Sequence, residues 1–133
     1  MTSIPPVIRQ MILCDDITAD PARPLKVSIL GLITYIDPAD DPPYPLLYRE
    51  LCVYLKLSGC RGAGTGWIQV RNADSGTPVC RTPARPLQLP TDPLRVVGRI
   101  FRVRDCRFPE LGLYEVEFWY DGMMLRQEPV VLR

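Results

Sequence analysis

A chain of 133 residues, 47% hydrophobic and 23% charged, has the make-up of one ordinary globular domain. Its net charge of +1 excludes a global electrostatic pull toward nucleic acid or an anionic membrane. Histidine is absent, which removes the commonest general base and the commonest metal ligand, so no enzymatic activity is expected.

Two prolines and an arginine interrupt the opening residues, where a signal peptide needs an unbroken apolar run. No window approaches the ~18 apolar residues of a membrane-spanning helix. The five cysteines, Cys14, Cys52, Cys60, Cys80 and Cys106, are odd in number and irregularly spaced, which argues against a disulfide framework. A cytoplasmic protein with reduced thiols is the expectation. Fifteen prolines leave little room for long helices.

Taken in chain order, about eight strand-like segments alternate with Pro, Gly and Asp clusters. Residues 7–14 (VIRQMILC) come first, then 25–36 (LKVSILGLITYI), rich in β-branched side chains. In 50–57 (ELCVYLKL), Leu51, Val53, Leu55 and Leu57 share one face while Cys52, Tyr54 and Lys56 share the other, the period of a half-buried strand. Residues 66–72 and 77–83 follow, joined through a short turn at Asp74-Ser75-Gly76. Residues 93–106 are apolar on both faces, so a central strand or one bulged near Gly98 is expected.

The seventh segment, 112–120 (GLYEVEFWY), points Tyr114, Val116, Phe118 and Tyr120 one way and Glu115, Glu117 and Trp119 the other. Asp121-Gly122 then suits a type I′ turn into 123–133, where Pro129 marks an edge or a bulge. Tyr114, two residues after Gly112, predicts a tyrosine corner whose hydroxyl bonds back to the preceding loop. The fold read from this pattern is all-β: one domain over residues 1–133, an antiparallel β-sandwich of about eight strands, immunoglobulin-like in broad architecture.

Cys14-Asp15-Asp16 after the first strand, Leu30-Gly31-Leu32, the loop proline Pro45 and Leu51-Cys52 resemble the pattern of an uncharacterised family of small bacterial proteins, a domain of unknown function. The resemblance spans nearly the whole chain and implies a shared β-sandwich fold. It implies no activity and carries over no catalytic or binding residue.

Three features that could hold a ligand have simpler readings. Asp15, Asp16 and Asp20 fall in one expected loop and Asp37, Asp40 and Asp41 in the next; carboxylates gathered at one end of a sandwich bind calcium, as C2-like domains do. If the first two strands are antiparallel neighbours, the two loops lie at opposite ends, so turn-capping aspartates are the simpler account. The glycines of 60–67 (CRGAGTGW) precede a strand and not a helix, which fits a flexible hairpin loop better than a phosphate cradle. Arg95, Arg99, Arg102, Arg104 and Arg107 split between strand faces without interleaved aromatics, so no nucleic-acid surface is expected. Exposed Trp119 beside Met123 and Met124 is the remaining candidate, a patch for a protein partner or a second copy of the chain. No cofactor is implied. The reading is therefore a non-enzymatic binding or assembly module, with a C2-like calcium or small-ligand domain as the alternative.

Overall fold

The computed structural model describes residues 4–59, 62–90 and 92–133, apart from the side chains of Pro24 and Leu25. The described residues form ten strands: β1 Val7–Asp20, β2 Arg23–Leu32, β3 Tyr35–Ile36, β4 Leu46–Ser58, β5 Ala63–Asn72, β6 Pro78–Arg81, β7 Arg85–Gln88, β8 Val97–Phe108, β9 Gly112–Tyr120 and β10 Met123–Leu132. They build two sheets. Sheet I has the order β2-β1-β4-β8; sheet II has the order β3-β10-β9-β5-β6, with β7 also on β5. Pairing is antiparallel except where β3 runs parallel to the end of β10.

Period-2 patterning drives this arrangement. Leu51, Val53, Leu55 and Leu57 of β4, with Phe101 and Val103 of β8, meet Ile68 and Val70 of β5 and Tyr114, Val116, Phe118 and Tyr120 of β9 in one buried cluster between the sheets. The expected hairpin of β9 and β10 is present, and Asp121 and Gly122 both have positive φ, as its two-residue turn requires. Tyr114 is buried and its O–H donates to the Glu110 carbonyl at 2.8 Å, the back-bond expected of it. Losing one such bond costs about 1 kcal/mol. Tyr114→Phe is therefore expected to lower the unfolding free energy by that amount, read as a lower urea midpoint with an unchanged slope.

Four expectations are corrected. β1 does not stop at Cys14. It pairs with β4 from Val7 to Cys14, then with β2 from Cys14 to Asp20, so residues 15–20 are strand and not loop. β4 is buried on both faces, because Ile17, Val27 and Ile29 of the β1–β2 ribbon pack with Cys14, Cys52, Tyr54 and Ile100 in a second small core. β8 is an edge strand, and no register shift occurs at Gly98; that glycine clears space for Tyr54, whose hydroxyl lies 2.8 Å from where a Cβ would stand. The glycines after residue 62 lie in β5, where Gly66 makes room for Leu87 and Phe118; residues 60 and 61 of that stretch lie outside the described residues.

A disulfide joins Cys80 of β6 to Cys106 of β8, against the expectation of reduced thiols. It ties one edge of sheet II to one edge of sheet I. Spacing along the chain could not reveal it, because only the two-sheet topology sets β6 beside β8.

Candidate functional site

The outer face of sheet II carries the expected Trp119, Met123 and Met124. Register places Met124 opposite Trp119 and Trp119 opposite Trp67. The two indoles stack with centroids 6.0 Å apart and planes 5° from parallel. The Arg81 guanidinium lies 4.3 Å from the Trp67 ring centroid. Trp119 is half-buried within this ladder, while Met123 and Met124 are 50% and 40% exposed at its end.

One strand step away, Glu117 is buried. Arg71 Nε donates to its Oε2 at 2.9 Å, and Gln69 Nε2 and Trp119 Nε1 donate to its Oε1 at 3.2 and 3.1 Å. A charged carboxylate stands in this position because three donors saturate it. The same bond fixes the tilt of the Trp119 ring.

This geometry limits the chemistry. Trp67 is stacked on Trp119 and covered by Arg81, so neither face of Trp67 is open. A platform for stacking bases needs open faces. What remains outward is thioether, indole edge and guanidinium, the side-chain types enriched at protein interfaces. Sequence reading found Trp119 and both methionines but missed the roles of Trp67, Arg81 and Arg71. Trp67 was visible as an aromatic, yet its pairing with Trp119 needs a register between strands about fifty residues apart in sequence.

The acidic residues do not converge. Asp15 accepts a short hydrogen bond from the Tyr48 hydroxyl, and Asp16 accepts from Arg102 Nη1 at 3.2 Å and from the Ile17 N–H at 2.8 Å. Those bonds hold the Asp16 carboxyl below the usual carboxylate range, the backbone N–H first and Arg102 second. Asp20 accepts from the Ala22 N–H in the turn after β1, and Asp37 pairs with Arg133 at 2.9 Å. Among the described residues no three His, Cys, Asp or Glu side chains are placed to hold a metal ion. Of the arginines, Arg102 and Arg104 pair with Glu50, Arg99 donates to the Gly98 and Gln88 carbonyls, Arg107 is exposed, and Arg95 precedes β8.

Cys14, Asp15, Asp16, Gly31 and Cys52 meet where β1 changes partner. Cys14 pairs with both Cys52 and Leu32. Gly31 has φ +67°, and the Asp15 carboxylate occupies the space a Cβ there would need. Arg102 Nη1 lies 3.0 Å from Cys52 Sγ. The cluster pins the β1–β2 ribbon across sheet I. Both thiols are fully buried; burial, then the neighbouring Cys52, pushes Cys14 up to about 11, and burial raises Cys52. A thiol of that pKa is only about 0.1% ionised at pH 8. In a Cys60→Ser protein at pH 8, Cys14 and Cys52 are expected to react with a disulfide reagent at least about a hundredfold slower than after unfolding. Equal rates would show that the pivot opens readily.

A family model described as a family of unknown function, DUF6941, matches residues 9–133. No curated protein matches the chain. A β-D-glucoside glucohydrolase from Trichoderma reesei is similar over 98% of this chain and 19% of its own, with 8% identity and a TM-score of 0.50. The alkylpurine DNA glycosylase AlkC of Pseudomonas fluorescens, bound to DNA containing an abasic site analogue, is similar over 75% of this chain and 27% of its own, with 15% identity and a TM-score of 0.41. The chain thus spans 19% and 27% of the two structures' lengths, and the first of these likenesses concerns fold alone.

Proposed function

We propose, for a chain that belongs to the DUF6941 family of unknown function, a non-enzymatic binding module that docks a protein partner on the outer face of sheet II around Trp119, Met123 and Met124. Its scaffold is read as an immunoglobulin-like β-sandwich of a small bacterial protein, with the Cys14-Asp15-Asp16 pivot as part of the shared frame. The observation that supports this reading is the ladder from Arg81 through Trp67 and Trp119 to Met124, on a face where the buried charge of Glu117 is already neutralised by Arg71. Such a face is costly to leave in water and needs no counter-charge from a partner. Interface energy concentrates on Trp and Arg held rigid in this way.

The test compares wild type with Met123→Ser/Met124→Ser, which alters the exposed end and leaves the ladder intact. A host protein retained by wild type and lost by the double variant, and then bound directly when purified, supports the reading. Concentration-dependent sedimentation abolished by the same variant would make the partner a second copy of the chain. Retention of every wild-type partner by the variant would sink the proposal.

The compartment rests on different chemistry. No helix of the described residues is long and apolar enough to cross a membrane. Disulfides persist in oxidising compartments. The cytoplasmic reading therefore holds only if rapid alkylation of cells traps Cys80 and Cys106 as thiols.

A further inference from the structure

We infer that the cleft between β8 and the β6–β7 segment is a docking groove for an extended acidic peptide, which adds against the open edge of β8 with its carboxylates on Arg81, Arg85 and Arg104. The cleft has a volume of about 570 Å³ and is lined by Arg81, Thr82, Arg85, Ile100, Arg102 and Arg104, among others. A second hollow of about 350 Å³ adjoins it, sharing Thr82, Pro83, Arg85 and Arg102 and adding Ala84, Pro86 and Phe101. No acidic residue lines either hollow. Arg102 there is already paired with Asp16 and Glu50, and Arg104 shares Glu50, so the local excess of positive charge comes chiefly from Arg81 and Arg85.

Backbone chemistry points to an extended ligand. β8 has β4 as its sheet partner on one side, and its other side faces the cleft. The Ile100 carbonyl accepts from Arg85 Nη1 at 2.6 Å, so it faces that open side. In a regular antiparallel strand the N–H and C=O of a residue point the same way and every second residue repeats the direction. Arg102 and Arg104 therefore direct their backbone groups into the groove, where an added strand can pair with them.

The arginines suit the carboxylates. Among the described residues neither Arg81 nor Arg85 pairs with a carboxylate; each is braced over a ring, Arg81 on Trp67 and Arg85 on Phe101 at 4.9 Å. Arg104 is 72% exposed and reaches Glu50 only at 3.5 Å. Held guanidinium groups lose little freedom on binding. The Cys80–Cys106 disulfide joins the two walls, so the groove is formed before a ligand arrives. This surface is distinct from the Trp119–Met124 end of the ladder, and Met123→Ser/Met124→Ser should leave peptide binding unchanged.

The experiment titrates the whole protein into a short fluorescent peptide alternating Asp and Val and reads anisotropy. The same peptide with Asn for Asp, and a version N-methylated along the backbone, are the ligand-side controls. Expected are saturable binding, weakening with salt, and loss of roughly tenfold or more for each control. Arg81→Gln/Arg104→Gln should weaken binding by a similar factor; both side chains are exposed, and the melting temperature reports whether folding survives. Arg85→Lys, which keeps the charge but not the fork, is the second variant. Equal binding of the Asp and Asn peptides would overturn the proposal. So would tight binding of the N-methylated peptide displaced by inorganic phosphate, which describes a generic anion site. Unaltered binding in both arginine variants would place the peptide elsewhere, as edge arginines that merely deter strand pairing would predict.

Discussion

Replacing Arg71 with Met is expected to destabilise the protein by about 3–5 kcal/mol, a large effect for a residue on an outer sheet face. The reason lies across the strand. Glu117 is 3% exposed, and Arg71 is the one cation that pairs with it among the described residues. With Arg71 gone, two neutral donors, Gln69 and Trp119, face a buried carboxylate alone. The carboxylate must then draw in water through the ladder or stay buried with too few partners, and either costs folding energy. Denaturant titration of Arg71→Met, Glu117→Gln and the double variant checks this. The double variant should recover most of the loss, because a neutral amide needs no cation. A loss below about 1 kcal/mol for Arg71→Met would mean that the pair behaves as an exposed salt bridge. The same series bears on binding, since Glu117 holds the Trp119 indole and Arg71 holds Glu117.

Removing the Cys80–Cys106 bridge, by reduction or as Cys80→Ser/Cys106→Ser, is expected to cost about 3–4 kcal/mol. The bridge closes a loop of 26 residues, and in the chain-entropy account that loop length corresponds to about 3.5 kcal/mol of restricted unfolded-state freedom. For a domain of this size the melting temperature should fall by roughly 10–15 °C. The two sheets would stay together through their shared core, but β6 and β8 would part more easily, because few other contacts join those edges. Peptide binding in the groove should weaken along with stability. A melting temperature unmoved by a reductant, with both thiols shown free by labelling, would show that the bridge adds nothing.

These two effects mark how far the sequence could be read. Strands β4 and β9 were legible because alternation with period 2 is a local signal, and β10 followed from the Asp121-Gly122 turn, legible because few residue pairs tolerate two positive φ values. Tyr114 was legible from its distance to Gly112. The second half of β1 was not, because DDITAD is polar and reads as loop until β2 is known to pair with it. β7 was hidden for the same reason, with two prolines nearby and one partner strand. β4 looked half-buried, since the ribbon that covers Cys52 and Tyr54 comes from elsewhere in the chain.

Readable along the chain were the all-β class, the faces of the strongest strands, the absence of an imidazole and the nearness of Trp119 to Met123 and Met124. Each follows from composition or from spacing within a few residues. The tertiary structure alone decided that Trp67 stacks on Trp119, that Arg71 neutralises Glu117, that Cys80 reaches Cys106 and that an arginine-lined groove opens along β8. Each of these joins residues distant in sequence, and register and sheet order are set by burial of the whole core, not by any local preference of the chain.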